Sequence, residues 1–487
     1  MNRKIPLSQL WIIPFSILIA ISILSIAPRL NAQGRDQASL NRHVSIIGTV
    51  YEFIQRNFID EIDSNILFEG AMTGMFNSLG DPHSSFLPAS EMENLNNTTQ
   101  GTFGGVGLYV FKPADTDGRL NFLEVSSPIE GTPGWRAGIN PGDQIILIDG
   151  EPTDVLTSDE AVARLRGPPG TTVEITIRRG ERVEFPVTLT RAIIEVPTVR
   201  HAMIGNDIGY LRLLTFTPMT VDRSRDAIIE FRAAGYQGLI LDLRNNYGGL
   251  LNSAVAVSSL FLNGGVIVST KSRIPAENQV FNARGTPLVQ DDIPVIVLIN
   301  RGSASASEIV AAALKDRGRA YLVGETSHGK GSVQQVYPLE GVGFKLTTAR
   351  YYSPSNASID GIGVPPDREV LFPEFTEEDA EHLNSLLNSN RISDFVLANP
   401  QATRIEREDF ARTLSREFDL DFYLLARLIR NEQTRRDVAP AYDLDYDVQL
   451  QEAVKILREE NYGSLMQNTT TLKELQEIQE PAFAQAS

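Results

Sequence analysis

The chain has 487 residues, 42% of them hydrophobic, with a formal net charge of −17 and no cysteine. That length provides for about three domains with real cores. The negative balance argues against nucleic acid as a partner, and the missing cysteines exclude disulfides and thiolate metal sites. At the N-terminus, Arg3 and Lys4 precede an uncharged run from Ile5 to Ala27, and Arg29 follows it. A membrane span needs about 20 residues, against roughly 7–15 for the apolar stretch of a secretory signal. Residues 1–33 are therefore read as a signal anchor. A cleaved signal peptide is the alternative, because Pro14 interrupts the run and Leu30-Asn31-Ala32 precedes Gln33 as a cleavage site. In either case the rest of the chain is exported. Residues 34–101 form a helical arm, with apolar residues at helical spacing in Ile46, Ile47, Val50, Phe53 and Ile54. Taken by itself, this pattern describes a helix packed on its own core.

Residues 102–190 change character. Gly105-Val106-Gly107-Leu108 is followed by Gly131-Thr132-Pro133, then by Ala137 to Asp143, ahead of the apolar run Ile145 to Ile148. This succession resembles a PDZ domain. The resemblance implies a β-rich module that takes a peptide C-terminus as an added strand, with the peptide carboxylate on the N–H groups of Gly105, Val106, Gly107 and Leu108.

From 191 to 373, strand and helix patterns alternate: Gly238 to Leu243, Ser253 to Leu262, Val295 to Ile299, Ala320 to Val323. Such alternation predicts an α/β core with parallel strands. Residues 374–487 read as a helical extension with short apolar stripes, Phe422 to Ile429 among them. Its tail beyond Asn468 is expected to be loose, and nothing in the extension carries chemistry.

The segment richest in chemistry is Asn300 to Glu308, sequence NRGSASASE, between the strand Ile293 to Ile299 and the helix Ile309 to Leu314. Ser305 there sits at a strand-to-helix junction beside free helix N–H groups. Ser305 with Glu308 also fits a capping box, in which the serine merely closes the helix. Lys330 follows on the next element, and a serine with a lysine is a known variant of the serine triad. Gly324 to Lys330 nearly completes a phosphate-binding loop. However, Gly331 stands where the magnesium-binding hydroxyl belongs, and Ser332 to Tyr337 reads as a strand rather than a helix. Of five histidines, only His328 rivals Lys330 as a base, and none is clustered at metal-ligand spacing. Alternation along a strand would put His328, Lys330 and Gln334 on one face.

The segment resembles the carboxy-terminal processing peptidases, serine endopeptidases of family S41 that pair a serine with a lysine and carry a PDZ domain. Further matches are Leu241 to Leu251, Asp81 to Leu87, Tyr351 to Ser355 and Gly361 to Asp367, in the family's order over about Val44 to Val370. His328 departs mildly from the pattern, since relatives usually carry an aromatic there. The resemblance implies an α/β multidomain chain in four parts: a helical N-terminal arm that aids homodimerisation, an inserted PDZ-like β-rich domain (102–190), an α/β protease core of the ClpP/crotonase-like type (191–373), and a helical C-terminal extension (374–487). It makes Ser305 the nucleophile, Lys330 the general base and Gln334 the assisting amide, with no metal and no cofactor.

The oxyanion donors expected are the N–H groups of Ala306 and Gly248, and Arg166 is the relay by which an occupied PDZ domain gates the site. The implied substrates are proteins with accessible C-terminal tails, with an adaptor or activating protein as a further partner. The implied location is the bacterial cell envelope, anchored in the inner membrane facing the periplasm or secreted to it. The competing reading is a catalytically silent PDZ scaffold for envelope proteins.

Overall fold

The computed structural model describes residues 39–113, 121–180, 182–372, 376–434 and 441–484. The expected anchor over 1–33 lies outside them. No helix among the described residues is long and apolar enough to cross a membrane. The chain divides into two units, residues 1–88 with 338–345, and the remainder.

In the first unit, residues 39–57 (α1) and Ser64–Asn77 (α2) are helical. The Asp63 carboxylate caps α2 by accepting the Asn65 N–H, and Tyr51 Oη donates to Ser64 O at 2.8 Å. Ser85–Leu87 (β1) pairs antiparallel with residues 343–345, burying Phe86 against Phe68. The arm is thus helical but interrupted by a strand. It does not pack on a core of its own: Ile46, Ile47, Val50 and Phe53 are at least half exposed.

The second unit opens with Ala89–Gln100 (α3) and Thr102–Gly105 (β2). Next come Leu108–Phe111 (β3), Leu123–Pro128 (β4), Pro133–Arg136 (α4), Gln144–Ile148 (β5), Glu151–Pro152 (β6), Ser158–Leu165 (α5), Thr172–Arg179 (β7), Val183–Thr190 (β8) and Ala192–Glu195 (β9). Strands β3-β4-β5-β7-β8 form an antiparallel sheet with β3 at its edge, closed by α5 over Val125, Ile145, Ile148 and Ile175. Thr157 and Glu160 cap α5 reciprocally. Strands β2 and β9 pair with each other below this module and form its neck.

The central sheet and the elements around it follow: Val199–Ile204 (β10), Ile208–Leu213 (β11), Thr220–Ala234 (α6), Gly238–Asp242 (β12), Leu251–Ser258 (α7), Val266–Ser272 (β13), Gln279–Asn282 (β14), Val295–Ile299 (β15), Ala306–Asp316 (α8), Tyr321–Gly324 (β16), Ser332–Pro338 (β17), Gly343–Tyr352 (β18) and Arg368–Glu369 (β19), of which β13, β14, β17 and β18 lie outside the central sheet. In the order β10-β11-β12-β15-β16-β19, all neighbours after β10 run parallel. Strands β12 and β15 are buried throughout, as continuous apolar runs in a parallel sheet covered on both faces should be.

Alternate residues face opposite layers. Leu239, Leu241, Val295, Val297 and Ile299 pack on α6, α7 and α8. Ile240, Ile296 and Leu298 pack on Val448–Glu459 (α13), through Leu450, Ala453 and Ile456. Helices Glu377–Asn388 (α9), Arg391–Ala398 (α10), Arg404–Phe418 (α11) and Phe422–Gln433 (α12) make a separate helical cluster.

The helical C-terminal region thus joins the core, with α13 as the main cover of one face of the central sheet. One expectation changes here. The tail beyond Asn468 is not loose: Tyr462–Gln467 (α14) leads to Leu472–Ala484 (α15), whose Leu472 is buried and donates its N–H to Asp316 Oδ1 at 2.7 Å.

A buried ionic knot fixes α13 to the sheet. Arg244 donates to both oxygens of Asp242 (2.9 and 2.7 Å) and both of Asp447 (2.8 and 2.7 Å), and also to Gln449 Oε1 at 3.0 Å. Burial pushes the Asp242 carboxyl up, but Arg244, Arg212 and the Tyr210 hydroxyl outweigh it and hold it below the usual range. Its contribution to stability is complete above the unfolded value near pH 4 and is lost as pH falls below it. Asp447→Ala removes one partner of the knot and the cap of α13, so urea unfolding should show a loss of about 3 kcal/mol at neutral pH. An unchanged urea midpoint would refute the bracing role.

Candidate active site

Chain direction carries β15 straight into the turn 300–305 and then into α8. Ser305 takes φ 53° and ψ −111°, a left-handed conformation for a residue with a side chain. Such a backbone costs of order 1–3 kcal/mol and persists only where the surroundings enforce it. Here the enforcement is visible. Ala304 N–H donates to Asn246 O at 3.0 Å, Ser307 Oγ to the same oxygen at 2.8 Å, and Ser303 Oγ to Leu243 O at 2.9 Å. Ser305 is 8% exposed, at the rim of the buried sheet.

Glu308, fully buried one turn into α8, organises the site. Its Oε2 accepts the N–H of Ser305 (2.8 Å) and of Lys330 (2.9 Å). Its Oε1 accepts Ser327 Oγ and the Gly329 N–H, both at 2.6 Å. Burial holds this carboxyl above its usual range, and the four donors offset that push only in part. The capping-box pattern signalled the Ser305 bond. It did not signal that the same carboxylate also holds the loop carrying Lys330, because that partnership joins residues distant in sequence.

The loop itself corrects an expectation. Lys330 precedes β17, so strand alternation does not set its face. The half-buried Lys330 is placed by Glu308 and by Gly329, which takes φ 88°, and Gly331, where a Cβ would meet Asp360 N at 2.3 Å. His328 lies in the same loop, its side chain exposed and its N–H given to Ser303 O at 3.0 Å. Gln334 is on β17, where its Nε2 donates to Ser332 Oγ at 2.9 Å and Thr347 Oγ1 at 3.2 Å.

Gly248 stands directly against the serine. A Cβ there would lie 2.8 Å from Ser305 Cβ and 2.9 Å from Ala306 N, so no other residue fits without displacing the turn. The Gly248 N–H itself donates to Asn246 Oδ1 at 2.9 Å. Among the described residues no acceptor meets the Ala306 N–H at the start of α8. Tyr351, part of the Tyr351 to Ser355 motif, is buried on β18 and donates its N–H to Gly331 O at 2.6 Å, and burial pushes its phenol up to about 12.

In the β-rich module, Gly107 takes φ 75°, with Thr132 packed where a Cβ would be. Among the described residues no acceptor meets the Val106 or Gly107 N–H. Strand β3 continues from this loop with one edge unpaired by any described strand. Arg166 ends α5, its guanidinium 4.8 Å from the Phe103 ring centre on the neck, and the next residue, Gly167, gives its N–H to Gly104 O at 3.1 Å. Among the described residues no group of carboxylates and histidines is placed to hold a metal.

Glu308→Gln keeps the shape but replaces an acceptor oxygen with an amide that faces donors already in place. The variant should fold with a loss of about 1–3 kcal/mol. Amide exchange at Ser305 and Lys330, or at Gly329, should become faster. Exchange equal to the parent at all three would show that the carboxylate does not hold the two turns.

Comparisons with known proteins point to one family. A model of peptidase family S41 matches residues 207–370, a PDZ-domain model matches 124–179, and a model described as the activating protease CtpB N-terminal domain matches 25–90. The chain is 42% identical over 338 residues to a carboxy-terminal-processing protease of Bartonella bacilliformis, covering 68% of this chain and 76% of that one. It is 38% identical over 309 residues to a carboxyl-terminal-processing protease of a Synechocystis species, covering 62% and 71%. Among solved structures, a photosystem II D1 C-terminal processing protease is 28% identical, with a TM-score of 0.40, covering 69% of this chain and 94% of that one. With a serine turn, a PDZ module and this extent of identity, the chain belongs to the carboxyl-terminal-processing proteases, serine peptidases of family S41.

Proposed function

We propose that this protein is an exported serine endopeptidase that cleaves proteins near or from their C-termini, with Ser305 as nucleophile and Lys330 as general base. The observation that carries this reading is the Glu308 carboxylate, which holds the backbone of both residues at one point behind a strained serine turn. A serine hydroxyl attacks only when a base takes its proton, and a lysine serves only as the neutral amine. Gln334, with its Nε2 engaged by Ser332 and Thr347, keeps its amide oxygen for the lysine amine and orients it without adding charge. Ala306 N–H, unclaimed at a helix start, suits the oxyanion of the tetrahedral intermediate. Gly248 can serve as a second donor only if its bond to Asn246 opens.

The tail of the substrate docks as an added strand on β3, its carboxylate on the N–H groups of the Gly105–Leu108 loop. Arg166 relays occupancy to the site. Its support is the continuity of the neck: Gly167 bonds to β2, Val196 N–H donates to Gly101 O, and Gly101 packs against Thr217, beside the Phe216–Gly248 bridge. The exposed apolar face of α1 suits a second copy of the chain, and the segment before it a membrane anchor facing the periplasm. An adaptor or activating protein is a further partner of this reading.

Full-length parent, Ser305→Ala and Lys330→Ala, incubated with an unfolded protein ending in an apolar tail, test the dyad. Each variant should fold and lose at least roughly a thousandfold in kcat/KM. Equal cleavage by all three would overturn the assignment. Arg166→Ala should fold normally and lose the stimulation that a free tail peptide gives the parent; activity independent of the peptide in both proteins would remove the gating.

A further inference from the structure

The turn before Gly248 and the turn before Ser305 are joined at two levels. The inner level is buried. Asn246 O accepts the Ala304 N–H at 3.0 Å and Ser307 Oγ at 2.8 Å, and Leu243 O accepts Ser303 Oγ at 2.9 Å. The outer level lies at the surface, between two asparagines. Asn245 gives its N–H to Asn300 Oδ1 at 2.9 Å, and Asn300 Nδ2 donates back to Asn245 Oδ1, also at 2.9 Å. Asn300 Oδ1 accepts the Gly302 N–H as well, at 3.1 Å. The two backbones touch here: a Cβ on Gly302 would lie 2.7 Å from Asn245 Oδ1 and 2.9 Å from Asn245 Cα.

This clasp suits asparagine at both ends. Asn245 takes φ 56°, a left-handed conformation in which asparagine is several-fold enriched among residues with side chains. At position 300 a carboxamide supplies both an oxygen for two N–H groups and an N–H for the facing oxygen. Asn245 is exposed, so the clasp buries little, and substitutions at such places seldom change stability much. What it fixes is a geometry. The inner bonds end on the backbone oxygens of Leu243 and Asn246, and the clasp secures the left-handed residue between them. That residue leads into Gly248, where a Cβ would lie 2.8 Å from Ser305 Cβ. Asn300 opens the turn that ends at Ser305. A misplacement of about 1 Å at such a site costs on the order of a hundredfold in rate.

We propose that Asn245 and Asn300 are a pair of positioning residues for the peptidase reaction. They hold the Gly248 turn against the serine turn, so that the scissile carbonyl meets Ser305 and the Ala306 N–H in a geometry set in advance. This rests on the reading of Ser305 as nucleophile. Neither asparagine touches the reacting atoms; both act through the backbone that they tie together. The clasp therefore serves the transition state and leaves the docking of the substrate tail on the β-rich module unaffected.

The test compares full-length parent, Ser305→Ala, Asn245→Gly, Asn245→Asp, Asn300→Ala and the double variant Asn245→Gly/Asn300→Ala. It uses cleavage of an unfolded protein with an apolar tail, thermal melting, and affinity for a peptide aldehyde, which forms a hemiacetal oxyanion on an active serine. Asn245→Gly keeps the left-handed backbone and its N–H but removes the accepting oxygen. Asn245→Gly and Asn300→Ala should each melt near the parent and lose about ten- to a hundredfold in kcat with KM little changed. Aldehyde affinity should fall by a similar factor. Asn245→Asp, which can still accept from Asn300 Nδ2, should recover most of that loss. The double variant should be no worse than Asn300→Ala, because the clasp is already open. A kcat within about threefold of the parent in both single variants overturns the proposal, as does a fall in kcat with unchanged aldehyde affinity. A rise in kcat also overturns it, since the clasp would then be a latch on a resting turn. Activity retained by Ser305→Ala would instead dismiss the nucleophile and with it the present inference. Should Asn300→Ala melt far below the parent, Asn245→Gly against Asn245→Asp decides, because both keep the backbone bond to Asn300.

Discussion

The Glu308 carboxylate is the constraint on which the site depends. A charge with no exposed surface survives only with its lone pairs filled, and all four of its partners lie in the two turns that matter: Ser305 on one side, Ser327, Gly329 and Lys330 on the other. The arrangement is economical. One side chain in the first turn of a helix closes the helix start, holds a serine in a conformation it would not choose, and sets the backbone of the lysine loop. It also has its oxygens filled by three backbone N–H groups and the Ser327 hydroxyl, so that the carboxyl serves geometry and not ion pairing.

The sequence made some of this plain and hid the rest, for physical reasons. Strands β12 and β15 announced themselves as unbroken apolar runs because both of their faces are covered. The serine turn was marked by small residues between a strand and a helix. The Gly105–Leu108 loop was marked by a glycine that Thr132 forbids any side chain to replace. What stayed hidden were partnerships across long separations. Glu308 looked like an ordinary capping residue, since half of a capping box is what its local pattern shows. Tyr351 looked like a strand aromatic, and its bond to Gly331 O appears only once β18 is laid beside the lysine loop.

The C-terminal region was the hardest part to read. Helix α13 has an amphipathic pattern like those of α11 and α12, yet the latter close a small cluster of their own and α13 covers the central sheet. Periodicity says that a face is buried; it does not say against what. Asp447 and Gln449, which decide the matter by gripping Arg244, are ordinary polar residues until that arginine is placed. The helical arm shows the reverse. Its apolar spacing predicted burial, and α1 instead offers those residues outward within its unit.

The knot at Arg244 also imposes an order of events on the newborn chain. The residues that satisfy it lie 203 and 205 positions downstream, on the layer that covers one whole face of the sheet. During synthesis the strands, the serine and the lysine all emerge before the layer that covers this face of the sheet. Until then an arginine immediately preceding the Asn245–Gly249 turn lacks two of its three partner residues, and the apolar face of β12 and β15 stays open to water. Domains generally consolidate as units once their parts are present, so the central sheet of this peptidase, and the serine turn at its rim, are finished late.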